Sequence, residues 1–315
     1  MKIGAFCFTL LSIIVTIAVS VPAQAQRARV FVSVNGNDAN PCTALSPCRT
    51  FQAAHDTVAD GGEIDVLDTG GYGTLAIQKS ISIVNPTGVA ASIAAPSGLA
   101  AIAIITTNVT VSLRGLTLDG AGTAADGIFF SEGGRVEIVD CVIRNFTHDG
   151  IYLTPRAGFI GTKTFIISNT IVSDNGSSGI EVNPGASFSV RGALDHVTAA
   201  NNGQSGILID ATNATGGFVD IAIADSIAES NGNAGITVTA IGDAKVEIKN
   251  STMSNNVNVG LSVSNAKVGI STNLIALNGA GFSNTNSGTI VSFGDNIIEN
   301  NRDPNTGTLT SASRQ

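Results

Sequence analysis

Along most of the chain, apolar and polar residues alternate in short runs, and each run is closed by Gly, Asn or Asp. Period-two alternation is the signature of strands with one face buried. No stretch of useful length shows helical periodicity within these runs. A Gly followed by an apolar residue opens such a run at Gly127-Ile128, Gly150-Ile151, Gly179-Ile180, Gly206-Ile207, Gly235-Ile236, Gly260-Leu261 and Gly281-Phe282, in steps of 23, 29, 27, 29, 25 and 21 residues. Two further columns keep step with it. One holds Asp140, Asn169, Asp195, Asp225, Asn250, Asn273 and Asp295; the other holds Asn145, Asn175, Asn202, Asn231, Asn256, Asn278 and Asn300.

Repeats of this length mean a solenoid. Strands without intervening helices make it a parallel β-helix, expected to have roughly ten coils, all β, with neighbouring coils ~4.8 Å apart. Alternation sends Ile151 and Leu153 inward and Tyr152 outward, and places Ile180, Ile207 and Ile236 in the same internal stack. Each coil then buries several apolar side chains at ~2 kcal/mol apiece before entropy, so no coil is stable alone. The open end of such an array needs a cover. Residues 49–59 predict a short N-terminal capping helix with Phe51, Ala54 and Val58 on one face and His55 close to it. The divisions expected are residues 1–25, 26–59 (extended segment, loop and capping helix), 60–301 (β-helix) and a flexible tail, 302–315.

Composition narrows the function. The chain has 315 residues, 36 Gly, 27 Asn and 43% apolar residues. That apolar content excludes a disordered polar chain. The net charge of −8 argues against a nucleic-acid partner, which calls for a basic patch. Residues 1–25 read as a secretory signal: Lys2, an apolar run from Ile3 to Val21, and the small-x-small site Ala23-Gln24-Ala25. A transmembrane anchor is the alternative. No later segment is apolar for long enough to span a bilayer, so the expected address is secreted, periplasmic or cell-surface. Cys42 and Cys48 flank a Pro-bounded loop, and outside the cytoplasm a local disulfide is expected there, contributing ~2 kcal/mol through loop closure. Cys141 is left over in an apolar run and reads as a buried free thiol.

Residues 30–73, VFVSVNGNDANPCTALSPCRTFQAAHDTVADGGEIDVLDTGGYG, resemble the opening of secreted bacterial right-handed parallel β-helix proteins of the pectate-lyase-like superfamily, and residues 110–300 are similar to the Gly-Ile/Asn repeats of the same group. The resemblance implies the fold. It implies no single activity, because that superfamily holds lyases, hydrolases, epimerases and non-catalytic proteins. The polygalacturonase Asp-Asp and Gly-His-Gly motifs and the Asp-Pro-His-Glu motif of alginate epimerases are absent.

Stacking singles out one constellation. Asp126 and Asp149 each precede the Gly-Ile marker one coil apart, beside His148. Two carboxylates ~4.8 Å apart need a proton, a cation or donors between them. Three readings follow: a Ca2+ site on Asp126 and Asp149, a catalytic group of Asp126, Asp149 and His148 acting on glycosidic bonds, or carboxylates bonded to turn backbone. The next outward column holds Phe129, Tyr152 and Glu181, with Phe129 over Tyr152 as a platform for a sugar ring. Arg114, Arg144, Arg156, Lys163 and Arg191 are the cations available to a uronate, and Arg144 is nearest the Asp pair in sequence. The functions expected are an extracellular recognition or structural protein engaging glycan along one face, a polysaccharide lyase or glycoside hydrolase, or a passive surface scaffold.

Overall fold

The computed structural model describes residues 27–156 and 161–313. The signal-peptide reading of residues 1–25 falls outside them. Among the described residues the protein is a parallel β-solenoid of about nine turns, against the roughly ten expected, with one short helix. Each turn visits three sheets, of twelve, ten and nine strands. Arg135–Val139 lies in the twelve-stranded sheet, Val142–Arg144 in the ten-stranded sheet and Ile151–Leu153 in the nine-stranded sheet, and the next turn begins with Thr162–Ser168.

The Gly-Ile register holds. Ile128 pairs with Ile151, Ile151 with Ile180, Ile180 with Ile207, Ile207 with Ile236, Ile236 with Leu261 and Leu261 with Phe282, all in parallel and all buried. The chain closes its N-terminal end with the helix Phe51–Thr57, capped by Thr50, whose hydroxyl accepts from the Ala53 amide. Phe51, Ala54 and His55 are the buried side chains of this helix, while Val58 is buried as the first residue of the following strand. His55 Nε2 accepts from the Gln78 amide at 3.1 Å, so this histidine ties the cap to the second coil. At the other end, Leu309–Ser311, within the segment read as a tail, adds a strand to the twelve-stranded sheet.

Two polar columns separate from the sequence pattern by one residue. At the corner leading into the ten-stranded sheet, Asp140, Asn169, His196, Asp225, Asn250 and Thr272 have left-handed φ of 48–59°. Asp195 instead pairs with Ser168 inside the twelve-stranded sheet, and Asn273 lies one position inward, where it accepts from the Ser251 amide at 2.9 Å. The pattern sought Asn or Asp at the turn, but His196 and Thr272 occupy that conformation, so the apparent column slid. The corner leaving the same sheet behaves likewise. Asn145 and Asn300 take left-handed φ with Asp174, Asn201, Ser230, Asn255 and Leu277. Asn175, Asn202, Asn231, Asn256 and Asn278 are the next residue along, buried in a ladder continued by Asn301. Each Nδ2 donates to the Oδ1 of the Asn one coil further on, at 2.9–3.1 Å. A buried amide costs little when its hydrogen bonds are made, and here they run without a break from Asn175 to Asn301.

Cys42 and Cys48 form a disulfide, and Cys141 is free and buried. Burial pushes the Cys141 thiol up to about 11, so it stays protonated and inert.

Candidate functional site

Asp126 and Asp149 occupy equivalent positions in adjacent coils, because Ile128 and Ile151 pair in register. Each carboxylate closes the turn of the next coil. The Asp149 amide donates to Asp126 Oδ1 at 3.2 Å, and the Ser178 amide donates to Asp149 Oδ1 at 2.8 Å. Asp149 is buried and Asp126 half-buried. Burial is the main force raising Asp149 to about 7, and the nearby charges of Glu181 and Asp126 push the same way against donors from Ser177 and Ser178. Burial also raises Asp126, opposed by the Asp149 amide and by His148. Backbone donors and a retained proton therefore compensate the pair. His148 is exposed beside them. Ser178 continues the column, and its buried hydroxyl has no hydrogen-bond partner among the described residues.

Outward from the pair, Phe129 and Tyr152 stack with ring centroids 5.9 Å apart and planes tilted by 48°. Glu181 sits next to Tyr152 in the same ladder. Arg144, the cation nearest the Asp pair in sequence, does not stand beside this platform. Arg144 lies on the ten-stranded sheet, where its Nε donates to Asp119 at 3.1 Å. Proximity in sequence misled, since a corner turns the chain between residues 144 and 149. Arg156 is the cation at the platform. Its Nη2 donates to Tyr152 Oη and to Asn183 Oδ1, both at 3.3 Å, and its Nε donates to Thr154 Oγ1 at 2.6 Å. Asn183 in turn donates to Glu181 Oε1 at 3.0 Å and contacts Asp210 at 3.5 Å. Arg156 lies beyond the end of the strand Ile151–Leu153, where the period-two alternation no longer says which way a side chain points.

The other candidate cations named from the sequence have neighbours of their own. Arg114 pairs with Asp140 and Arg191 with Asp220, while Lys163 is buried with Nζ 6.0 Å from the Phe188 ring centroid. Arg156, held by neutral oxygens, has no carboxylate partner among the described residues. A guanidinium so fixed keeps free donors in a planar fork suited to a carboxylate.

Two other features lie at the corners of the ten-stranded sheet. An open groove of about 760 Å³ runs along the corner between the ten- and nine-stranded sheets, with Phe146, Thr147, Asn175 and Gly176 in its lining. On the opposite corner of the ten-stranded sheet, Asp195, His196 and Asp225 place one ligand-type atom each within 4.8 Å of one another, all exposed.

The sequence matches the family described as right handed beta helix region over residues 63–215 and again over 100–267. No curated protein matches it by sequence. Among solved structures it is similar to the pectate lyase Pel9A, at 15% identity and a TM-score of 0.62, covering 90% of this chain and 77% of that one. An alginate lyase from Paenibacillus sp. str. FPU-7 superposes with a TM-score of 0.61 at 15% identity, covering 82% and 95%. A rhamnogalacturonan lyase gives a TM-score of 0.50 at 13% identity, covering 91% and 86%. At these identities the likeness is one of fold. With its register, its three sheets and the family match over most of the chain in agreement, the chain belongs to the right-handed β-helix family.

Proposed function

We propose that the protein is an exported glycan-recognition protein that binds an acidic sugar chain on the outer face of its nine-stranded sheet. The observation that carries this reading is Arg156, a cation without a carboxylate partner among the described residues, fixed at the edge of the Phe129–Tyr152 platform. An aromatic face takes the apolar side of a sugar ring, and the guanidinium takes a uronate carboxylate. The pectate, alginate and rhamnogalacturonan lyases named above share the fold, and the Cys42–Cys48 disulfide suits an oxidising compartment. Residues 1–25 serve as the leader in this reading.

One observation favours a second reading, cleavage of a glycosidic bond. Asp149, protonated up to about pH 7, has the property of a general acid. Asp126 and His148 are its partners in that reading. Ca2+ enters only if the two carboxylates release their backbone donors to it, since the cation takes six to eight oxygen ligands. A screen of acidic and neutral polysaccharides for retention and depolymerisation, with and without Ca2+, separates these readings. Retention of an acidic polymer without shortening it supports recognition. Shortening that is lost in Asp149→Asn supports cleavage. Retention of no polymer leaves a passive scaffold.

A further inference from the structure

The outward column on the ten-stranded sheet begins with the small or polar residues Gly71, Ser92 and Thr117 and continues, in parallel register, as Val142, Ile171, Thr198, Ile227, Thr252, Leu274 and Ile297, the seven positions that hold its apolar stripe. Ile171 is 46% exposed, Ile227 38%, Leu274 38% and Ile297 54%. Elsewhere the large exposed apolar residues sit singly in loops and corners, and the outer face of the twelve-stranded sheet carries charges such as Arg135, Glu137, Lys245 and Glu247. A straight apolar stripe about 29 Å long, at ~4.8 Å per coil, marks an interaction surface.

The stripe is palindromic about Ile227. Two apolar residues, Thr, Ile, Thr and two apolar residues read the same in either direction along the solenoid. Such a surface is self-complementary under a two-fold axis, the commonest symmetry of protein dimers. We propose that a second copy of this chain covers it, with the two solenoids antiparallel and the axis passing through Ile227. Ile227 then meets its own copy, Thr198 meets Thr252, Ile171 meets Leu274 and Val142 meets Ile297. The neighbouring column supplies charge complementarity. Arg144 stands on the first of these seven coils and Glu299 on the last, so the arrangement brings them together twice. Arg144 uses its Nε for Asp119 and has its Nη groups for the partner. Between them lie Ser173, Ala200, Ser254 and Ala276, small enough to let two sheets approach. Glu229, beside Ile227, forms the single like-charge pairing.

Sedimentation equilibrium of the full exported chain tests the proposal. A dimer is expected, weakened about tenfold or more by Ile227→Lys, because the substitution acts on both sides of the axis at the centre of the contact. Glu229→Gln tightens it. Arg144→Glu and Glu299→Arg each weaken it, and the double exchange restores it. Position is read directly by cysteine pairing: Ile227→Cys cross-links to its own kind under mild oxidation, whereas Ile171→Cys cross-links only when mixed with Leu274→Cys. Circular dichroism checks that each variant keeps its β fold. A wild-type monomer at all concentrations overturns the proposal. So does a dimer indifferent to Ile227→Lys, or one that pairs Ile171→Cys with itself. A monomer held by a flat polysaccharide through the stripe also overturns it.

Discussion

A Cβ on Gly179 would lie 2.8 Å from the side-chain Nδ2 of Asn202. The same clash recurs at Gly206 against Asn231 and at Gly260 against Asn278. The marker glycines and the asparagine ladder are thus one device: the buried amides fill the space beside the strand entry, and only Gly leaves room for them. The co-occurrence of the two columns in the sequence follows from this packing.

The ladder fixes a stability prediction. Asn231 accepts from the Asn202 amide and side chain and donates to Asn256 and to the Ala199 carbonyl. Asn231→Ala leaves buried groups unpaired on both sides, at a cost of about 3 kcal/mol or more. Asn300→Ala, at an exposed turn outside the ladder, costs about 1 kcal/mol through its left-handed backbone. Denaturant unfolding of both variants checks the order; equal losses would remove the ladder from its structural role.

How far this was legible depended on the residue. The internal Ile stack was readable because strand alternation leaves one choice of face. Which of two adjacent polar residues enters the core was not, since Asn serves equally as a left-handed turn residue and as a buried ladder member. Asn145 and Asn175 look alike in sequence and differ by one position in the coil. Arg156 was legible as a cation but not as a neighbour of Tyr152, because it lies beyond the strand Ile151–Leu153, where alternation assigns no face.

Thiol chemistry gives a second test. Cys42 and Cys48 should be found linked by mass analysis of non-reduced digests, and Cys141 should react with a thiol reagent only after unfolding. Labelling of Cys141 in the native state would contradict its burial.

The Asp149 carboxyl sets a pH dependence. Its folded value, raised to about 7 by burial and by Glu181, exceeds its ordinary value, so between these pH values the folded state holds a proton that the unfolded state releases. The stability contribution is therefore full below about pH 4 and falls as pH rises through about 7. Asp149→Asn keeps an acceptor for the Ser178 amide and removes this loss. Melting temperature should rise in the variant at pH 8, by about 2–4 °C for each kcal/mol recovered, and stay unchanged at pH 4. A rise of equal size at both pH values would show that ionisation of Asp149 is not the cause.

The recognition reading is tested most directly by calorimetric titration of acidic oligosaccharides from whichever polymer the protein retains. Binding to the wild-type protein is expected, with Tyr152→Ala and Arg156→Ala each weakening it about tenfold or more, as loss of an aromatic or arginine anchor does, and with neutral oligosaccharides failing to bind. Full affinity in both variants, or heat from neutral and acidic sugars alike, would contradict the account.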